Sequence, residues 1–450
     1  MQMSTIRNKL TYTQMIVLSF FCIIFIGALV LCLPISSREG IWSPFIDAMF
    51  TATSATCVTG LIVFDTFTHW SAFGQVVILV LIQIGGLGVM TIIAMIALFL
   101  KRRITLGERR LLMQSTGSLE ISGVVRLIHR ILTGTVIAES CGAILLSFVF
   151  VPDMGFGKGI WNAVFHSVSA FCNAGFDLMG RYAPFASFSN TDYAMNPIVN
   201  LTIMSLIVVG GIGFIVWRDI ATKRFKFSEY EVHSKIVLVT TACLIVFGSI
   251  LFFIFEYDHT LAGFTLWEKI LASMFHSVSP RTAGFSTLNL GLLSNSGALL
   301  TILLMFIGGS PGSTAGGIKT TTFTVLLLSA LASAKRYGSI TVFKRKLDEN
   351  TVVQASTIAT IYVCCVSIAV LLICAFEPLP FIPVAFEAVS AIGTVGLSTG
   401  ITPSLCAGSK VILMVLMFAG RVGGLSLMLV LAERRISVPI ERPTGKILIG

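Results

Sequence analysis

The stretch Ala391–Gly400, AIGTVGLSTG, closes a short apolar run with three glycines in ten residues. Glycine enters positive-φ backbone conformations at little steric cost. A chain can therefore use such a stretch to turn its carbonyls toward one axis. The stretch has three counterparts, each marked by a phenylalanine, a serine four residues later and then a glycine. The four sets are Phe50, Ser54 and Gly60; Phe165, Ser169 and Gly175; Phe275, Ser279 and Gly284; and Phe386, Ser390 and Gly396. Their loops read Val58-Thr59-Gly60-Leu61, Asn173-Ala174-Gly175-Phe176, Thr282-Ala283-Gly284-Phe285 and Thr394-Val395-Gly396-Leu397. The third is one residue shorter between serine and glycine. The glycines lie 115 (175−60), 109 (284−175) and 112 (396−284) residues apart. A period of that length is a whole structural unit.

A soluble domain carries about 25% charged residues. This 450-residue chain carries 12%, with 55% hydrophobic and a mean hydropathy of +0.92. That composition belongs to a polytopic membrane protein. The net charge of +10 would suggest nucleic acid on a soluble chain, but its placement argues otherwise. Basic residues gather at Lys101-Arg102-Arg103, Arg109-Arg110, Lys223–Lys226, Lys335-Arg336, Lys344–Lys346 and Arg434-Arg435, each after a long apolar run; Arg7 and Lys9 precede the first run. This is the positive-inside pattern. It predicts a multi-pass cell-membrane protein with both termini and the links between repeats cytoplasmic, the glycine loops entering from outside, and no nucleic-acid partner. The ten cysteines show neither metal spacing nor a secreted disulfide framework and read as reduced packing residues. The first apolar run has no small-residue cleavage site after it and reads as a retained helix.

A bilayer-spanning helix needs roughly 20 apolar residues. Eight runs approach this: Tyr12–Pro34, Val76–Leu100, Ile131–Val151, Ile198–Trp217, Ile236–Phe255, Ala298–Ala334 (interrupted), Thr357–Phe376 and Val411–Leu431. Within each pair lies a shorter apolar piece: Ile41–Ser54, Gly159–Ser169, Thr265–Ser279 and Phe381–Ser390. These are about half the spanning length, as re-entrant segments are. Irregular backbone at membrane depth survives only against protein or water. The expected fold is an all-α polytopic membrane protein with four tandem helix–pore-loop–helix repeats around a pseudo-fourfold central pore. The repeats are set at 1–110, 111–230, 231–348 and 349–435, with a C-terminal tail at 436–450.

Thr394-Val395-Gly396-Leu397 resembles the TVGY element of potassium-channel selectivity filters, in which backbone carbonyls replace an ion's water. All four loops are read as one such filter. The C-terminal ends of the half-helices would carry about −0.5 charge each toward the cavity beneath, favouring a cation. The loops offer no carboxylate ring of the kind a calcium-selective pore uses.

The second long run of each repeat carries glycines: Gly85-Gly86-Leu87-Gly88, Gly210-Gly211-Ile212-Gly213, Gly308-Gly309 and Gly420-Arg421-Val422-Gly423-Gly424. Small residues let membrane helices approach closely, and the first two clusters are read as packing. The third opens Gly308-Gly309-Ser310-Pro311-Gly312-Ser313-Thr314-Ala315-Gly316-Gly317-Ile318-Lys319. Five glycines and a proline in twelve residues do not hold a straight helix. This segment is read as an intramembrane gating loop; a kink that only packs is the alternative. Arg421, midway along an apolar run, costs roughly 2.5–3.5 kcal/mol to insert and needs water or a partner. It either faces the pore as a barrier to cations or pairs with a buried carboxylate such as Glu139, and the site assignment takes the first. Thr51, His166, His276 and Glu387 each follow a marker phenylalanine and could tie half-helices to neighbours. Arg281 could hold the third loop through carbonyls or Glu387. Asp177 could attract cations at the mouth or be an ordinary loop acid.

With these features assembled, nearly the whole chain resembles the Trk/Ktr/HKT superfamily of cation transporters. Ser-Pro-Arg-Thr-Ala-Gly-Phe (279–285) together with Gly-Ser-Thr-Ala-Gly-Gly-Ile-Lys-Thr (312–320) carries the resemblance. It is nearest to the membrane subunit of Ktr potassium-uptake systems, since only about a dozen residues precede the first span where the TrkH subunit has an additional hairpin. Sodium-selective plant members have serine for the first filter glycine; Gly60 here implies potassium. The resemblance also implies a homodimer with one pore per subunit. It implies a cytosolic KtrA-like ring of nucleotide-binding regulatory subunits, answering to ATP and ADP, and transport that depends on Na+. The chain lacks a GxGxxG of the kind that binds a nucleotide.

Two other classes compete. Gly308-Gly309-Ser310-Pro311-Gly312 fits G-x-S-x-G, with His166 or His276 as conceivable bases of a serine hydrolase. That elbow requires a preceding strand, and an apolar membrane run stands there instead, so the chain is read as no enzyme. A secondary transporter with alternating access also uses broken midplane helices, but such folds show two repeats, often inverted, where this chain has four of one orientation.

Overall fold

The computed structural model describes residues 12–88, 124–182, 184–185, 187–189, 191–224, 226–335 and 340–423. Arg7, Lys9, Arg336, Gly424, the clusters at 101–103, 109–110 and 434–435, the inner ends of Val76–Leu100 and Val411–Leu431, and the tail lie outside the described residues.

One sequence of elements recurs four times. A long apolar helix comes first: α1 (Tyr12–Cys32), then α4 (Val124–Met154), α8 (Val232–Glu256) and α12 (Glu349–Phe376). These four are long and apolar enough to cross a membrane. Each leads to a short helix: α2 (Phe45–Thr56), α5 (Phe156–Cys172), α9 (Leu266–Val278) and α13 (Phe381–Gly393). At 12, 17, 13 and 13 residues they reach about 18–26 Å, short of a bilayer's ~30 Å. The marker residues Phe50, Phe165, Phe275 and Phe386 sit on them and are all at most 1% exposed. Between lipid and protein the gain is one of packing contacts more than of water release.

A second helix follows each loop: α3 (Ala72–Leu87), α6 (Pro197–Gly211), α10 (Asn295–Phe306) and α14 (Ala407–Val422). Each opens on a side chain that accepts a backbone N–H of the first turn, namely Ser71, Asn196, Ser294 and Cys406. Fourteen residues beyond each cap stands a glycine: Gly85, Gly210, Gly308 and Gly420 (85−71, 210−196, 308−294, 420−406). A side chain on Gly85, Gly210 or Gly420 would strike the carbonyl oxygen of Thr56, Phe171 or Ile392, at the inner end of a half-helix. The packing reading of Gly85 and Gly210 therefore holds, and Gly420 packs in the same way. Gly308 meets instead the carbonyl of Gly316, in the long loop of its own repeat.

The expectation of one straight run over Ile198–Trp217 is corrected. α6 and α7 (Phe214–Lys223) meet at a 95° bend. Gly213 has φ +96°, and the Phe214 N–H leaves the helix ladder for the carbonyl of Gly312, 2.8 Å away. Packing alone does not describe the second glycine cluster; Gly213 is a break. The Ala298–Ala334 run is interrupted as expected, α10 and α11 (Thr320–Ala334) flanking the loop. A hairpin of β1 (Thr341–Val342) and β2 (Arg345–Lys346) links the third and fourth repeats. Phe227 and Phe343 pack edge-on at 6.2 Å, which brings the Lys223–Lys226 and Lys344–Lys346 clusters close together. All ten cysteines are free.

Candidate functional site

The four loops share one backbone. Val58, Asn173, Thr282 and Thr394 have φ of 57°, 60°, 70° and 52°, and the glycines two residues on have 93°, 71°, 81° and 91°. The residue between them does not share the positive sign. An ordinary extended chain points successive groups to opposite sides; alternating the sign of φ turns successive carbonyls to the same side. Four L-residues held in the left-handed region cost about 1–2 kcal/mol each, so the surroundings must impose it.

The serines impose it. The N–H groups of Thr59, Ala174, Ala283 and Val395 donate to the carbonyls of Ser54, Ser169, Ser279 and Ser390 at 2.8, 2.8, 2.9 and 2.9 Å. The hydroxyls act as well. Ser54 and Ser390 each accept the N–H of their filter-position glycine at 3.0 Å. Ser169 donates to the Phe176 carbonyl at 2.7 Å, and Ser279 to that of Phe285. These four serines were only spacing markers in the sequence; the signal for their role was their fixed place four residues after each phenylalanine.

The loops form a closed ring. A side chain on Gly60 would come under 3.0 Å from the Ala174 carbonyl oxygen, one on Gly175 from Ala283, one on Gly284 from Val395 and one on Gly396 from Thr59. Each glycine thus faces a carbonyl of the next repeat, and the fourth faces the first. Leu61, Phe176, Phe285 and Leu397, the last residues of the loops, are all at most 1% exposed. Above it lies a cavity of about 260 Å³, lined by the four glycines with Asp65 and Asp177. Asp65 accepts the N–H groups of Phe67, Thr68 and Phe185. Asp177 accepts that of Met179 at 2.8 Å. Burial pushes the Asp177 carboxyl up to about 7, with Asp65 adding to the rise and the bonds from Met179 and Ser187 opposing it.

Beneath the ring lies the Gly308–Lys319 loop. It leaves and rejoins at one level, where Ile307 and Ile318 form a parallel bridge and the Gly308 N–H reaches the Ile318 carbonyl at 2.8 Å. Toward the second repeat, Ser310 N–H bonds the Gly211 carbonyl, Thr314 N–H that of Gly210, and the Thr314 hydroxyl that of Phe171; Pro311 closes over Gly213. Toward the fourth, Gly316 lies against the Thr394 side chain and Gly317 against Gly393. Internally, Ser313 turns back to the Ser310 carbonyl, Ala315 packs on Gly309, and Lys319 Nζ holds the carbonyls of Ala315 and Gly316 at 2.7 and 3.3 Å. The loop of the third repeat thus touches the second and the fourth, its neighbours on either side in the ring.

Arg421 donates to the Thr314 carbonyl and to those of Gly85 and Gly86. It ties the loop to the first and fourth repeats at once. The alternative partner Glu139 is elsewhere, accepting from Gln83 at 3.1 and 3.3 Å. Sequence reasoning offered a pore-facing or a carboxylate-paired Arg421 and did not foresee its carbonyl partners, two near the end of α3 and one in the loop.

The positions after the marker phenylalanines divide. His166 Nε2 accepts the Leu178 N–H at 3.3 Å, and Glu387 accepts the Thr399 N–H at 3.1 Å together with the hydroxyls of Ser398 and Thr402. Both hold the backbone twelve residues on. The expected tie fails at Thr51, whose hydroxyl bonds its own helix at Asp47. Among the described residues His276 has no hydrogen-bond partner; its ring stacks on Phe252, 4.9 Å away, and meets Phe275 edge-on. Arg281 reaches Thr241 at 3.3 Å and not Glu387, because it points to the long helix behind the loop. Ser310 bonds Thr320 at 3.0 Å. A helix, not a strand, precedes it, so the hydrolase elbow is not built.

Four loops on half-helices, closed into one carbonyl ring between membrane helices, define a polytopic pore-loop membrane protein. The chain belongs to the TrkH family of cation transport proteins, which matches residues 5–438. It is 40% identical to the potassium/sodium uptake protein NtpJ of Enterococcus hirae, over 99% of this chain and 98% of that one. It is 38% identical to the Ktr system potassium uptake protein B of Bacillus subtilis, over 98% and 97% of the two chains. Among solved structures, the potassium transporter TrkH of Vibrio parahaemolyticus shares the fold, with a TM-score of 0.74 at 17% identity, covering 94% of this chain and 85% of that chain.

Proposed function

We propose that the chain is the potassium-selective, ion-translocating membrane subunit of a Ktr-type K+ uptake system. The observation that carries this is the cyclic contact of Gly60, Gly175, Gly284 and Gly396 with the carbonyls of Ala174, Ala283, Val395 and Thr59. Such a ring offers hard, uncharged oxygens in place of a cation's water. The half-helix C-termini below add negative potential. Asp65 and Asp177 raise the cation concentration at the mouth. Residues 58–61, 173–176, 282–285 and 394–397 are the filter in this proposal, within repeats 1–110, 111–230, 231–348 and 349–435.

The Gly308–Lys319 loop is the gate, and Arg421 its latch. Held across the axis, the loop blocks the path, and the guanidinium sets a positive charge there. Opening must exchange the bonds from Arg421 to Thr314, Gly85 and Gly86 for others. The name of the Bacillus subtilis relative, protein B of a Ktr system, supports further components acting with this chain; in this proposal they are a cytosolic KtrA-like nucleotide-binding ring docking on the basic linkers at 223–226 and 344–346, and the membrane unit is a homodimer. The name of the Enterococcus relative supports a role for Na+. In this proposal both termini lie in the cytoplasm.

The test is cation flux into liposomes from the purified chain, with and without the regulatory subunit, under K+, Rb+, Na+ and Li+ gradients. Rapid K+ and Rb+ movement with little Li+ is expected. Equal flux of all four ions overturns the filter.

A further inference from the structure

Between the first and second repeats a groove of about 620 Å³ opens at the outer end of α3 and the N-terminal end of α5. Arg38, Lys158 and Arg181 line it, together with apolar Phe67, Val76 and Trp161. All three basic residues are exposed. Among the described residues none has an ion-pair partner; Arg38 lies over the Phe67 ring at 4.3 Å. The floor is built: Trp161 Nε1 donates to Gln75 Oε1 at 2.9 Å, and Gln75 Nε2 to the Trp70 carbonyl at 3.1 Å, joining α5 to α3.

The depth of the groove points to its occupant. Val76 is nine residues before Gly85, which packs on the inner end of a half-helix at mid-membrane. Nine residues are about 14 Å of helix, near half of the ~30 Å hydrocarbon thickness. The groove is therefore at the boundary between headgroups and acyl chains. From the outer turn of α3 at the groove inward, Phe73, Val76 and Val80 are 44%, 43% and 51% exposed. Spaced three and four residues apart, they form one apolar stripe running inward. The free end of α5 adds unpaired backbone N–H groups and a positive dipole end.

We propose that this groove binds an anionic phospholipid of the outer leaflet, its phosphodiester among Arg38, Lys158 and Arg181 and an acyl chain along Phe73, Val76 and Val80. A soluble anion would satisfy the charges but leave the stripe bare. A zwitterionic lipid would cover the stripe but bring its own cation to three unpaired ones. Only a lipid with net negative charge matches both halves. Bound there, it braces the seam from which α5 runs to the second pore loop.

The experiment is native mass spectrometry of the full chain in detergent with added phosphatidylglycerol or phosphatidylcholine, each with and without millimolar inorganic phosphate. Quenching of tryptophan fluorescence by acyl-brominated lipid, compared with Trp161→Phe, locates the site. Phosphatidylglycerol is expected to bind at least about tenfold more tightly, to resist phosphate and to quench Trp161. The triple variant Arg38→Gln/Lys158→Gln/Arg181→Gln should lose that preference. Because Arg38 is stacked, the double variant Lys158→Gln/Arg181→Gln keeps the test open if the triple fails to fold. Equal binding of the two lipids, a preference that survives the double variant, or displacement by phosphate overturns the proposal. None of these readouts involves ion flux, so they stand apart from the proposed transport.

Discussion

At the scale of the residue, the ring glycines are fixed by two demands at once: positive φ and a carbonyl of the next repeat that an added side chain would meet under 3.0 Å away. Serine at position 60 or 396 meets neither. Gly60→Ser and Gly396→Ser should each lower the K+/Na+ preference at least about tenfold, given about 1–2 kcal/mol of left-handed strain and a displaced carbonyl. Competitive 86Rb+ uptake measures it, and unchanged selectivity in both removes the filter assignment. Asp177 gives a second residue-scale prediction. Its carboxyl is raised to about 7 by burial and by neighbouring Asp65. A raised acid is neutral below that value, so the mouth loses a negative charge as external pH falls through it. Uptake from limiting K+ should decline a few-fold between pH 8 and pH 6, and Asp177→Asn should be low and flat over that range. A pH response equal to that of the parent chain would show that another group titrates.

At the scale of the element, the break in α10–α11 and the latch on it are separable. Deleting part of Gly309–Gly317 should raise K+ flux in the absence of any regulatory subunit, since the loop bonds the second repeat and packs on the fourth beneath the ring. Arg421→Ala should raise it too, by freeing the carbonyls of Thr314, Gly85 and Gly86. Loss of folded protein in Arg421→Ala, read by gel filtration, would assign the arginine to the scaffold. The loop was legible because five glycines and a proline cannot continue a helix. The half-helices were legible because their length is half a bilayer. The 95° bend after Gly211 was not: Gly210, Gly211 and Gly213 look alike in sequence, and only the neighbouring Gly312 carbonyl makes one of them a hinge. The partners of Arg421, 107 to 336 residues away in the chain, were hidden for the same reason. A tertiary partner some hundreds of residues away leaves no local pattern.

At the scale of the whole molecule, four repeats on one chain make three seams between consecutive repeats and one that joins the last to the first. The fourth seam carries an ion pair: Lys410 Nζ lies 2.8 Å from Asp47 Oδ1, with side chains 12% and 15% exposed. Lys410 stands in the first turn of α14 and Asp47 in the first turn of α2, 363 residues apart. The helix dipole at the start of α2 favours the carboxylate. Taking one partner from a largely buried pair costs roughly 3–5 kcal/mol, whereas replacing both by apolar residues of similar volume is often neutral. Lys410→Met should therefore lower the thermal midpoint of the purified chain clearly, and Asp47→Leu/Lys410→Met should recover most of the loss. Since Thr59 and Gly396 meet across this same seam, the single variant should also lose part of its K+/Na+ preference, and the double variant regain it. A midpoint that falls while selectivity holds would mean that the pore ring keeps its geometry without the outer closure, and that its serine-pinned loops are sufficient by themselves.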